Sequence, residues 1–197
     1  MSQLFNFQFL TPWQNSDQPF NSQPAQLSNH LRSALVCSTS LTRHLETRLK
    51  QTIEVEIIEQ VNLQSWEDNP QLWGEQQDLP DPESVTYRNA WLIAGNQKLL
   101  FAHSQLVTSG LHESILKQVK EGNLPLGSLF LQHEKTIERK QLELAQARIP
   151  ALATRLGEEV ERTFWCRRSI FLVNNLPFAR ILEVFLTDLD YPDSLPG

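Results

Sequence analysis

Apolar residues recur along this chain in two periods, and the switch between them predicts its elements. From Leu27 to Lys50 the spacing is helical: Leu27, Leu31 and Leu35, then Leu41, Leu45 and Leu49. The polar break Ser38-Thr39-Ser40 divides the run into two helices and offers Ser40 as a cap for the second. Ile53-Glu54-Val55-Glu56-Ile57 then alternates strictly through β-branched residues, the mark of a half-buried strand. Residues 62–84 hold Pro70, Pro80 and Pro82 among acidic and amide side chains. They read as a long loop with at most one helical turn. A loop of that length in a compact domain is often functional, for instance as a lid.

Two hairpins organise the remainder. Val85–Ala94, Gly95-Asn96 and Lys98–Leu106 read as strand, tight turn, strand. Thr163–Val173, Asn174-Asn175-Leu176-Pro177 and Phe178–Leu186 repeat the plan. Between them the pattern predicts a helix at about 111–121 closed by Gly122, an amphipathic helix at about 134–147 ending near Pro150, and further helix over 151–162. Five strands joined mainly by hairpins, with helices between, make an α+β fold: an antiparallel sheet covered by helices. Residues 1–26, rich in Asn, Gln, Ser and Pro, read as a partly disordered polar arm. Phe5, Phe7, Phe9 and Trp13 are the residues able to dock it. The domain proper is expected over 27–190, with a tail at 191–197.

With 197 residues, 40% of them hydrophobic, the chain can bury one sizeable core. A net charge of −6 argues against nucleic acid or an anionic membrane as partner, while leaving room for local arginines to bind a small anion. No run approaches the roughly 20 apolar residues of a membrane helix. The start MSQLFNFQFLTPWQN lacks a basic, then apolar, leader, so a cytoplasmic protein without stable membrane insertion is expected. Cys37 and Cys166 form no CxxC pair and are expected as reduced thiols. His30, His44, His103, His112 and His133 make no cluster at metal-ligand spacing. Neither a phosphate loop nor GxSxG occurs. Neither a metal nor another cofactor is expected.

Chemistry is therefore sought among residues that break the local pattern. Glu183 interrupts Phe178–Leu186, a strand apolar on both faces. A carboxylate there is either paired with an arginine or is a functional acid whose pKa burial has raised. Arg88 is the one full charge in Val85–Ala94 and needs an acidic partner, Glu183 or a ligand carboxylate, unless it faces solvent. Arg167 and Arg168 are adjacent on a strand, so they point to opposite faces and at most one reaches any given pocket.

Five fragments in order give these residues a common setting: Ser40-Leu41-Thr42-Arg43, Tyr87-Arg88, Pro125-Leu126-Gly127, Trp165-Cys166-Arg167-Arg168-Ser169 and Leu182-Glu183-Val184-Phe185-Leu186. Over about residues 27–189 the chain resembles the chorismate pyruvate-lyase family. The resemblance implies an antiparallel sheet of about six strands with helices packed on it. It also implies an enclosed pocket in which chorismate becomes 4-hydroxybenzoate and pyruvate without a cofactor, for quinone biosynthesis. Arg88 then holds the ring carboxylate, helped by the backbone amides of Leu41 and Leu126. Glu183 hydrogen-bonds the 4-hydroxyl and assists proton movement, and helical segments around Leu41 and 111–126 act as lids.

The family's Gly-Arg-Thr stands here as Ala102-His103-Ser104. His103, Arg167 or Arg168 is therefore expected to take that arginine's part. The segment 134–162 is longer than in compact bacterial members, and the N-terminal arm is extra. A monomer acting on a small molecule is expected. The alternative comes from another class: the same fold serves bacterial regulators as an effector-sensing domain that binds a ligand without converting it. Here only about 26 polar residues precede the first helix, with no recognition helix.

Overall fold

The structure is a computed structural model that describes residues 5–17, 27–74, 79, 83–133 and 135–189. Six long antiparallel strands form its centre: β3 (Ile53–Leu63), β4 (Val85–Ala94), β5 (Gln97–Val107), β6 (Ile137–Arg148), β7 (Thr163–Val173) and β8 (Leu176–Phe185). Two short strands, β1 (Gln8–Phe9) and β2 (Gln14–Asn15), both pair with the outer side of β6. The order across the sheet is β1-β6-β7-β8-β5-β4-β3. The fold is thus α+β with an antiparallel sheet, as the pattern predicts.

The sheet has two covered faces. On the front lie α1 (Asn29–Leu35), α2 (Leu41–Leu49), α4 (Glu113–Glu121) and α5 (Leu126–Gln132). Leu31, Leu35, Leu41 and Leu45 pack there with Leu92, Leu144 and Phe185. Ile115, Val119, Leu129 and Phe130 pack with Phe171, Phe178 and Ile181. On the back lie α3 (Pro70–Trp73) and α6 (Pro150–Leu156), whose Leu72, Trp73, Leu152 and Ala153 meet Trp91, Phe101, Phe164, Leu182 and Val184. Phe5 and Phe7 of the N-terminal arm join this back cluster, and Phe9 and Trp13 pack against it. Residues 1–4, 18–26 and the tail 191–197 lie outside the described residues.

Several predicted elements stand as read. Ser40 caps α2, its Oγ accepting from Arg43 N at 3.3 Å. Gly122 closes α4 at φ 71°, a left-handed conformation that suits glycine. The β7–β8 turn is tighter than the sequence suggests: Asn174 and Asn175 at φ 51° and 64° make a two-residue turn, and β8 begins at Leu176.

Three expectations are corrected. The amphipathic helix at 134–147 is instead β6, with residue 134 outside the described set. Cross-strand pairing with β7 overrides the helix-favouring composition, and a register shift between Lys140 and Glu143, with Gln141 at φ 50°, breaks the two-residue period. Helix continues past Pro150 only to Leu156, where Gly157 ends it. The stretch 62–84 is less loop than expected in its first half: β3 runs on to Leu63, and α3 buries Leu72 and Trp73 under the back face. Residues 75–78 and 80–82 lie outside the described set. No described helix is long and apolar enough to cross a membrane.

Candidate active site

Alternation along the strands decides which side chains share the front face. Arg88, Ala90 and Leu92 of β4, Ala102 and Ser104 of β5, Ile181 and Glu183 of β8, Phe171 of β7 and Arg139 of β6 line one narrow cavity of about 50 Å³. Its floor is shallow because Ala90 and Ala102 are register partners, and Ser104 lies opposite Arg88. Thr42 of α2 and Pro125, Leu126 and Gly127 at the start of α5 cover it.

Arg88 stands at one end. It is 3% exposed, and its Nη2 donates to the carbonyls of Gly122 (3.0 Å) and Leu124 (3.2 Å) just past α4. A helix C-terminus favours a cation in this way. Gly122 also packs closely on β3: a Cβ there would lie 2.9 Å from Ile57 Cγ1. Nη1 of Arg88 is buried and has no partner, and no carboxylate pairs with this arginine among the described residues. Burial pulls its pKa down to about 10, leaving it charged at neutral pH.

Glu183 stands at the other end. The register Arg88–Ser104 and Ala102–Glu183 puts it two strands and two residues away, about 12 Å between Cα atoms at ordinary sheet spacings. Its carboxylate is 4% exposed and doubly paired, to Arg139 Nη2 at 2.9 Å and Arg167 Nε at 2.5 Å. Burial alone would raise its pKa, but Arg139 and Arg167 outweigh it and hold the group below its ordinary value. Of the two readings of Glu183, the structure shows the carboxylate paired with arginine, not an acid whose pKa burial has raised. Arg139 also donates to Ser169 Oγ at 2.8 Å, and Arg167 to the carbonyls of Ala34 (2.7 Å) and Cys37 (3.1 Å) at the end of α1.

The remaining expected residues divide by face. Leu126 lines the cavity as the first residue of α5; Leu41 opens α2 beside the lining Thr42 and buries its side chain in the core. His103 and Arg168 point to the back. His103 bonds Asn89 Oδ1 (2.8 Å) and Glu67 Oε2 (3.2 Å), and Arg168 bonds Glu143 Oε2 (2.7 Å) and Leu72 O (3.0 Å) and lies over Trp13. The arginine of the adjacent pair that faces the site is Arg167. Arg139 is the residue that sequence reasoning missed, because its segment reads as helix. Cys37 and Cys166 are free thiols, and burial raises the pKa of Cys166. No three His, Cys, Asp or Glu side chains converge among the described residues.

A family model described as Chorismate pyruvate-lyase Rv2949c-like matches residues 35–191. A curated relative from Psychromonas ingrahamii, named probable chorismate pyruvate-lyase, is 30% identical over 167 residues, covering 83% of this chain and 86% of its own. A second of that name, from Thiobacillus denitrificans, is 30% identical over 115 residues, covering 55% and 59%. Among solved structures, the effector domain of PhnF from Mycobacterium smegmatis superposes with TM-score 0.57 at 11% identity, covering 77% of this chain and 90% of that one. A GntR-family transcriptional regulator from Bacillus cereus gives 0.50 at 10% identity, covering 74% and 99%. These two likenesses speak for the fold alone.

Proposed function

The chain belongs to the chorismate pyruvate-lyase family, and on that premise we propose that it converts chorismate into 4-hydroxybenzoate and pyruvate in the Arg88–Glu183 cavity. The observation that carries the reading is Arg88: a buried guanidinium that lines the cavity, with one donor unpartnered and no acid to neutralise it among the described residues. Such a group costs stability unless an anion completes it. A ring carboxylate supplies that anion, and the backbone amides of Leu41 and Leu126, at the starts of α2 and α5, assist. Arg88, Arg139 and Arg167 against Glu183 leave the cluster with two net positive charges, matching a dicarboxylate.

The reaction is redox-neutral. The C4 proton leaves, the C3–O bond breaks, the ring becomes aromatic, and the departing enolpyruvate takes a proton on carbon to become pyruvate. Glu183, kept anionic by its two arginines, accepts a hydrogen bond from the 4-hydroxyl and fixes the ring for elimination. Positive charge from Arg139 and Arg167 stabilises the developing enolate. The product is a 4-hydroxylated benzoate, the class of ring used in quinone biosynthesis.

The test is direct. Purified protein with chorismate and EDTA is expected to release pyruvate and 4-hydroxybenzoate in equal amounts. Saturable binding of 4-hydroxybenzoate without turnover of chorismate would favour the ligand-sensing reading.

A further inference from the structure

The seam that closes the cavity has an outer side. Gly127 lines the cavity, and a Cβ built on it would lie 2.7 Å from Ser40 Oγ and 3.6 Å from Ile137 Cδ1. Ser40 and Ile137 in turn line an open groove together with Arg43, His44, Thr47, Arg48 and Thr136. Cavity and groove are therefore separated by the thickness of one residue, at the point where α5 meets the start of α2.

The nine residues of α2 divide their side chains among three surroundings. Leu41 and Leu45 enter the core, Thr42 faces the cavity, and Arg43, His44, Thr47 and Arg48 face the groove. Helical i, i+4 spacing puts Arg43 above Thr47 and His44 above Arg48. Arg43 and Arg48 are exposed, and no carboxylate pairs with either among the described residues. Among the described residues, no acidic side chain lines the groove. In a chain of net charge −6 this is a local excess of positive charge, set against the seam behind which a second positive cluster lies.

We infer that this groove is an anion-collecting vestibule for the dicarboxylate substrate, and that Arg43 and Arg48 receive a carboxylate before α2 and α5 part to admit the ring. The inference rests on the proposed lyase reading for the identity of the anion. Its physical basis is separate: cations lining one approach raise the local concentration of an oppositely charged ligand and speed its association, an effect that salt weakens. Two guanidiniums suit a small dicarboxylate, each able to take one carboxylate by its planar fork. Ser40 joins the two compartments, since its hydroxyl caps α2 on Arg43 N and abuts Gly127 on the cavity side.

The experiment compares wild type with Arg43→Ala/Arg48→Ala and Arg43→Lys/Arg48→Lys at low and high ionic strength. For the alanine pair, kcat/KM for chorismate is expected to fall about tenfold at low salt, with kcat within about twofold and a flattened salt dependence. The lysine pair keeps the charge and is expected to recover most of the loss. Both positions are exposed, so melting temperatures should match. If wild type releases no pyruvate, the lyase reading fails by itself. The vestibule is then read from the association rate of chorismate on immobilised protein, where the same loss is expected. An alanine pair whose kcat/KM, or association rate, stays within about twofold of wild type with an unchanged salt slope overturns the inference.

Discussion

The two ends of the cavity hold charge in opposite ways. At one, Arg88 is bonded only to main-chain carbonyls and keeps Nη1 unpartnered. At the other, Glu183 is gripped by two arginines, one of which also holds the end of α1. The first end has no acid beside its arginine among the described residues; the second pairs its charges, although Arg167 Nη2 is, like Arg88 Nη1, buried without a partner. What singles out the Arg88 end of the cavity is thus the lack of an acid beside a buried guanidinium, not burial of charge or an unmet donor by itself. The back face supplies the control. Arg168 is as buried as the site arginines, yet Glu143 and Leu72 satisfy it and Trp13 covers it.

The contrast can be broken by substitution. The largest effect is expected from Glu183→Gln, which leaves Arg139 and Arg167 buried without their anion. A loss of about 3–5 kcal/mol in unfolding free energy is expected, read by urea or thermal melting. A melting temperature near that of wild type would show that the arginines find other partners. Turnover of this variant is interpretable only where it remains folded.

Arg88→Met should do the reverse. Chorismate and 4-hydroxybenzoate binding, followed by calorimetry, should weaken by about 2–5 kcal/mol, while melting of the free protein is no lower than wild type because an unpaired buried cation has gone. Arg88→Met that binds within about twofold of wild type would move the carboxylate site elsewhere.

Acid sharpens the Glu183 end. Its folded pKa lies below the unfolded carboxylate value of about 4.3. The stabilisation is therefore full above that pH and is lost as pH falls through the folded value. Below about pH 4.3, wild-type melting should decline more steeply than that of Glu183→Gln. Equal slopes would mean that the carboxylate is not held down by its arginines.

A smaller effect is expected from Gly127→Ala, whose new methyl would press on Ser40 Oγ and disturb the α2 cap, a loss of about 1 kcal/mol. The smallest effect on binding is expected at His103 and Arg168. On the back face, His103→Gln and Arg168→Met should leave KM within about twofold, with any change confined to stability. A KM raised tenfold or more would revive their expected part in holding substrate.

Most of the sheet was legible because its strands alternate or run apolar between clear turns. β6 was not. Glu, Lys, Gln, Leu, Ala and Arg over Ile137–Arg148 favour a helix when taken alone, and pairing with β7 is non-local information. Arg139 vanished from view with it. Arg167 could have been found: counting back from a two-residue Asn174-Asn175 turn brings it close to Glu183 across the hairpin, and the bulge between Phe171 and Leu172 completes that register. Reading four residues into the turn concealed that pairing. The unmet donor on Arg88 was out of reach, since it depends on where the carbonyls of Gly122 and Leu124 come to rest.

The two short strands of the N-terminal arm have a consequence for solution behaviour. Gln8 and Phe9 pair with Arg148 and Ala147, and Gln14 and Asn15 with Leu144 and Glu143, so the arm occupies main-chain groups that β6 would otherwise offer to another molecule. An uncapped strand of this length is a template for self-association. The opposite margin, β3, carries Glu54, Glu56 and Glu59, whose like charges repel a second copy. One margin of the sheet is thus covered by the arm, and the other carries charge that opposes edge-to-edge pairing. Removing the arm would both strip Phe5 and Phe7 from the core and leave β6 open to growth into aggregates.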